Sequence, residues 1–287
     1  MILKHHEMWL NGTPGGDRAC LEHLDLSPFD FSGKNLTCAT FYGAKLRKLA
    51  RANLSRTNLR EADLTGADAL NAVFSEAVMT GIHADGADFR EADLSNSVIR
   101  SAYLSGTDFR GARMIRTNLN RSCFVGADFE KADLRFCNFH QADLTGATLD
   151  HTNLFETNFD HSNLEGTSFR NANAYRTVFH GCDFSTAIIT AMNFTSAKLE
   201  GTKGLRYALC RFPTHGSRSS HLLAIATPEG VEFFTHGFRG GREAYEAFFV
   251  SENPQLIPAR RRVANMLESM ILCPHPRLSP EQDTGPE

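Results

Sequence analysis

The sequence predicts an all-β solenoid, a four-sided parallel β-helix, with an N-terminal cap and a small C-terminal α+β domain. Three observations carry that prediction. An apolar residue, large at all but three of the positions, returns every five residues through 54–199, thirty units without a slip. Glycine returns every twenty positions at 66, 86, 106, 126, 146 and 166. The five-residue rhythm stops after Gly204.

The stretch GADFEKADLRFCNFHQADLTGATL, residues 126–149, shows the unit. Its centres are Phe129, Leu134, Phe139, Leu144 and Leu149, and two residues before each stands Ala127, Ala132, Cys137, Ala142 or Ala147. Five residues advance an α-helix by roughly 500°, which would scatter the centres around its axis. On a flat strand, an odd period would send them to alternate faces. Extended chain that turns a corner every five residues keeps the centre and the small residue on one inward side. The Asp or Asn between them then points away. Asp68, Asp88, Asp108 and Asp128 repeat at twenty like the glycines, so four units close a coil and residue n stacks on n+20. The glycine column marks an edge whose turn needs positive φ or close backbone approach. About nine coils at ~4.8 Å each predict a rod of roughly 40 Å.

An earlier set of centres runs Leu26, Phe31, Leu36, Phe41 and Leu46. From Leu46 to Leu54 the spacing is eight, which predicts that residues 47–52 bulge from the wall and move more than the flanking rungs. Ala69, Ala84 and Ala174 stand at centres, and Met192 fills a small-residue slot, so packing there departs from the pattern.

The repeated unit, Ala, Ser, Thr or Cys, then Asp or Asn, then Leu or Phe, resembles the pentapeptide-repeat family. That resemblance implies a right-handed four-sided parallel β-helix over residues 26–203, with a register break near 47–52. Residues 1–25 read as the cap, with a short helix over LKHHEMWL carrying the only Trp and a glycine-rich turn. The segment from Trp9 to Leu21 resembles the start of phage- and prophage-encoded family members. Residues 204–273 read as a small α+β domain similar to the C-terminal module of some phage members. LRYALCRF, SHLLAIAT and VEFFTHG are its strands, and GREAYEAFFVSE and PARRRVANMLESMIL its amphipathic helices, the second opened by Pro258. Residues 274–287 read as a disordered tail.

Composition narrows the function classes. No apolar run is long enough to span a membrane, and the first residues lack the pattern of a signal peptide. Seven cysteines with no CxxC pair read as reduced thiols in a cytoplasmic protein. A net charge of -3 offers no global argument for nucleic acid. Locally the charge is banded. Residues 45–60 hold six bases and no acid, 61–93 eight acids and one Arg, and 128–165 eight acids against two bases.

Two sets of residues stand out as a partner-binding surface. Ile115, Arg135, Phe155 and Tyr175, with Phe136 one step on, face outward on successive coils, either as a free patch for a partner or as a face that the C-terminal domain covers. Lys45, Arg47, Lys48 and Arg51 surround the register break. His140, Asp160 and His180 also follow one another at twenty with His161 adjacent. A structural metal there would want fixed second-shell support, and polar ladders are common on such surfaces, so no metal is expected. Cys210, His215, Ser217, Ser219, Ser220, His221 and His236 match no nucleophile–base spacing, and no catalytic group or cofactor is expected. Gly240 and Gly241 read as a turn before a helix.

These readings predict a non-enzymatic interaction protein that presents a rigid surface to a macromolecular partner, either as a monomer or as a dimer. The phage resemblance implies a host protein as that partner, for instance a bacterial defence component that this chain inhibits or modulates. The family resemblance also implies a DNA-mimicking modulator of DNA gyrase as an alternative. The alternating bands interrupt the continuous acidic face that such mimicry needs. A second alternative places an enzyme or ligand-binding activity in residues 204–273.

Overall fold

A computed structural model describes residues 1–205, 207–212, 220–227, 230–235, 238–245, 261 and 264–265. The chain divides into two compact units, Met1–Leu205 and Arg206–Glu287.

The first unit is a parallel coil whose rungs pair residue n with n+20. The bridges run Asp68↔Asp88, Asp88↔Asp108, Asp108↔Asp128 and Asp128↔Thr148 down one side, and the other three sides repeat the pattern. The unit centred on Phe129 shows how five residues satisfy their own backbone. Phe129 and Lys131 donate their amides to Thr148 and Asp150 of the next coil at 2.8 and 3.0 Å. Asp133 donates back to Ala112 at 2.9 Å, and Ala132 closes the corner onto Phe129 at 2.9 Å. The one remaining amide, Glu130, is taken by the Asp128 side chain at 2.9 Å. The Asp or Asn before each centre therefore does more than point away: it accepts the only amide that neither the corner nor the neighbouring coil can use.

Nearly every corner places the residue two after its centre at positive φ; Pro28 and Thr186 are exceptions. The glycine column is only one of four such edges, since Lys131, Phe136 and Gln141 sit at φ 62, 61 and 57. Centres and small residues point inward, and Phe129, Leu134, Phe139 and Leu144 are wholly buried. Ala69, Ala84 and Ala174 are buried at their centres as well. The phenylalanines stack in register with the coils. Phe89, Phe109 and Phe129 lie 5.4 and 4.9 Å apart, and Phe139, Phe159 and Phe179 lie 5.0 and 5.2 Å apart. The small slot tolerates Thr because its buried hydroxyl finds a carbonyl, as Thr157 does on Leu134 at 2.6 Å and Thr177 on Leu154 at 2.6 Å.

The register break corrects the expectation of a bulge. Leu49 is itself a buried centre, so the eight-residue gap is one three-residue unit followed by an ordinary one. Across it the coil offset contracts from twenty to eighteen, with Asp30↔Lys48, Asn35↔Asn53, Thr40↔Asn58 and Lys45↔Asp63, and Lys48↔Asp68 restores twenty. The two residues that normally make the corner are missing there. The Arg47 guanidinium lies at the shortened corner, donating to the carbonyls of Leu46 and Asp63 at 2.9 Å each and to the Asp63 carboxylate at 3.0 Å.

Helix α1, Ile2–Leu10, precedes the first coil. Its buried His6 accepts the Ala19 amide on Nδ1 at 3.1 Å. Burial and the nearby Arg18 charge hold the His6 pKa down, which keeps the imidazole a neutral acceptor. The second unit holds a four-stranded antiparallel meander, β1 (Tyr207–Phe212), β2 (Ser220–Thr227), β3 (Gly230–Thr235) and β4 (Phe238–Gly240). The sequence patterns locate the first three strands; β4 is too short to carry one. Residues 242–245 start the first expected helix, and Tyr245 stacks on Phe233 at 5.0 Å. Most of the second expected helix and all of the expected tail lie outside the described residues. Among the described residues no helix is long and apolar enough to cross a membrane.

Candidate functional site

Because the position after each centre faces outward and stacks at n+20, residue type at that position builds surface columns directly. On one side, Phe155 and Tyr175 stack with ring centroids 5.6 Å apart. Phe136, at the adjoining corner, meets Phe155 edge-on at 5.3 Å. An Arg closes each end of this strip: Arg116 lies 5.2 Å over the Phe136 ring, and Arg176 lies 5.3 Å over Tyr175. Arg176 also pairs with Glu156 at 3.1 Å, which fixes its plane against the ring. Ile115 is half-buried one coil before the strip. Arg135, between Ile115 and Phe155, is turned onto Asp133 by contacts of 2.8 and 2.7 Å. The column residues thus come together on one surface, with Phe136 the most exposed ring at 36 %.

Arg116 and Arg176 escaped the sequence reading. Their signal was available, since 116, 136, 156 and 176 form the corner column beside the aromatic one. A second outward ring pair was also missed. His83 and Tyr103 stack at 4.6 Å in the slot that usually holds Asp or Asn.

The basic group of the register break is not brought to the strip; several coils separate them. Lys45, Lys48 and Arg51 are exposed, whereas Arg47 is committed to Asp63. The charge bands pair across coils. Asp88, Arg90, Asp108, Arg110 and Asp128 form a ladder with contacts of 2.7, 3.7, 2.6 and 3.6 Å. The Arg90 hydrogen bonds, opposed by partial burial, hold Asp88 below the usual carboxylate range. Partial burial pushes Asp108 up, and the Arg110 hydrogen bonds outweigh it and hold the carboxyl low.

Of the C-terminal candidates, Cys210 lies on β1, and Ser220 and His221 lie on β2, where backbone pairing sets His221 opposite Arg211 and Ser220 opposite Phe212. His215, Ser217, Ser219 and His236 lie outside the described residues.

The comparisons fall on the coil. The family described as pentapeptide repeats matches in eight copies, over residues 48–81, 83–114, 112–150 and 152–190. Among solved structures, HetL of the cyanobacterium Nostoc sp. strain PCC 7120, a protein involved in heterocyst differentiation regulation, is 22% identical. That match covers 69% of this chain and 94% of HetL at a TM-score of 0.25. A pentapeptide repeat protein of the Arabidopsis thaliana thylakoid lumen is 32% identical over 33% of this chain and 63% of its own, with a TM-score of 0.27. Full-length QnrB1, a plasmid-mediated fluoroquinolone resistance protein, is 18% identical over 63% of this chain and 92% of its own, with a TM-score of 0.25. No curated protein matches. With TM-scores this low, the solved structures carry no argument, and it is the repeats themselves, over residues 48–190, that match the pentapeptide-repeat family.

Proposed function

We propose that this chain is a non-enzymatic interaction protein whose coil docks a protein partner through the aromatic strip. The observation that carries the reading is the continuous run Arg116, Phe136, Phe155, Tyr175, Arg176, three rings in successive contact with an Arg over each end. Aromatic and Arg side chains supply most of the energy of typical interfaces. Rungs hydrogen-bonded on both sides hold these at fixed spacing, so docking costs little ordering entropy. In the finer reading, carried by the N-terminal resemblance, the partner is a bacterial host protein in the cytoplasm. Inhibition or modulation of a defence component is one form that this would take.

The DNA-mimicking alternative needs a run of free carboxylates. Arg90 and Arg110 cover Asp88 and Asp108 on the column best suited to it, which favours a protein partner recognised through rings. A quantitative pull-down from bacterial lysate with mass spectrometry tests the proposal. The Phe155→Ala/Tyr175→Ala double variant should lose the proteins that the wild type enriches while keeping its melting temperature. His215→Ala/Ser219→Ala/His221→Ala should keep those proteins. An unchanged set of captured proteins in the aromatic variant would refute the strip as the docking surface.

A further inference from the structure

On the side of the coil adjoining the aromatic strip, the column 140, 160, 180 reads His, Asp, His, and the next corner carries His161. The Asp160 carboxylate is the hub. Its Oδ1 lies 2.9 Å from His180 Nδ1 and 3.7 Å from His161 Nε2. Its Oδ2 lies 2.9 Å from His140 Nδ1. One donor atom from each of Asp160, His161 and His180 falls within 4.8 Å of the other two. We infer that Asp160, His161 and His180 bind one divalent transition cation of the zinc class, clamping two neighbouring coils together.

The donor set is two imidazole nitrogens and one carboxylate oxygen, which suits Zn²⁺ and its neighbours Co²⁺, Ni²⁺ and Cu²⁺ over the hard cations Mg²⁺ and Ca²⁺. Bonds of roughly 2.0–2.1 Å in a tetrahedral arrangement set donor atoms about 3.3 Å apart, between the two spacings that Asp160 Oδ1 makes with the two rings. Closing the site takes side-chain rotations, and both rings are half-exposed and able to make them.

One further feature separates this cluster from an ordinary polar ladder, and a second makes room for it. The first is the support whose absence argued against a metal when only the sequence was in view. His140 holds the oxygen of Asp160 that faces away from the other two donors, so the carboxylate is oriented before any cation arrives. The second is Gly181. This corner column holds Glu61, Ser101, Arg121, Gln141 and His161 at positive φ as well as Gly81 and Gly201, so the turn alone does not demand glycine. A Cβ at 181 would lie 2.5 Å from His161 Nδ1 and 2.7 Å from its Cε1. The glycine clears the space that the His161 ring occupies. Asp160 and His161 belong to one rung and His180 to the next, so the cation bridges coils that backbone bonds already hold in register. Its remaining position is open to water or to a partner's side chain.

The test is titration of the chelator-stripped full chain with ZnCl₂ by calorimetry and with CoCl₂ by visible absorption. The expected result is one saturable equivalent, tetrahedral cobalt bands, and a melting temperature that rises with added Zn²⁺. His161→Ala and His180→Ala should each weaken binding about tenfold or more while leaving the metal-free melting temperature unchanged, since both rings are at the surface. His140→Gln and Gly181→Ala should weaken it to a lesser degree. The chain has twelve histidines, so binding that survives in the His161→Ala/His180→Ala double variant would overturn the assignment. So would weak uptake of several equivalents with no cobalt bands. Should His180→Ala lower the metal-free melting temperature, His161→Ala carries the same test, because its ring makes the looser contact with Asp160.

Discussion

Phe139→Ala offers the most direct probe of how the coil is held together. The ring is wholly buried and stacks on Phe159 at 5.0 Å. It also meets Phe124 and Phe129 edge-on at 5.5 and 5.9 Å. Truncating a buried Phe costs about 3–5 kcal/mol, transfer and cavity terms together. Three aromatic neighbours put this site toward the upper end, since each pair adds about 0.5–1.5 kcal/mol beyond area burial. The cavity has little scope to collapse, because hydrogen bonds fix the coil above and the coil below. At about 2–4 °C per kcal/mol for a unit of this size, the melting temperature should fall by roughly 10–15 °C. Circular dichroism melts of wild type, Phe139→Ala and Phe139→Leu measure it. The Leu variant should lose well under half as much, because Leu134 and Leu144 fill the flanking centres. A fall of less than about 2 °C for Phe139→Ala would refute the inward stack as the source of stability.

Three further outcomes follow from the same architecture. The contracted corner should resist proteolysis as well as its neighbouring rungs do, and Leu49→Ala should cost about 2–5 kcal/mol in denaturant melts, the price of a buried centre and not of a loop residue. In the native protein, Cys137 and Cys182 should fail to react with a thiol reagent at pH 8 while exposed Cys20 reacts. Burial raises both inward thiols, Cys182 to about 12, and each donates to a carbonyl, on Met114 and Phe159 respectively. Acid should destabilise the coil: Asp88 and Asp108 titrate below the ordinary aspartate value of 3.8 when folded. Their contribution is therefore complete above about pH 3.8 and is lost as pH falls through the lower folded values, so melting temperatures should drop between about pH 4 and 2 and less so in Arg90→Gln/Arg110→Gln.

Much of the fold was legible because period five has a single regular solution, and the n+20 glycines counted the corners. The register break was misread for a physical reason. Spacing alone cannot separate three residues added from two removed, and Leu49 was passed over because Arg47, at its small-residue slot, broke the pattern. The aromatic strip was legible as a column of outward residues. Its Arg ends were not, because they lie on the adjoining corner and become neighbours only once the turn geometry is known. The support of Asp160 by His140 was equally invisible, since a sequence gives a ladder's order but not which oxygen each rung holds.

The Asp or Asn that accepts the spare amide of each unit carries a consequence for how the surface can change over time. Both side chains present the same oxygen, as Asp128 and Asn138 do to Glu130 and His140 at 2.9 and 3.0 Å. They differ by a full unit of charge. A single-step exchange between them leaves the scaffold intact and rewrites the outer electrostatic field one rung at a time. Val73, Val98 and Arg113 in the same slot show that the coil also tolerates residues there other than Asp and Asn. Recognition can therefore drift toward a new partner along a path on which folding is nearly neutral.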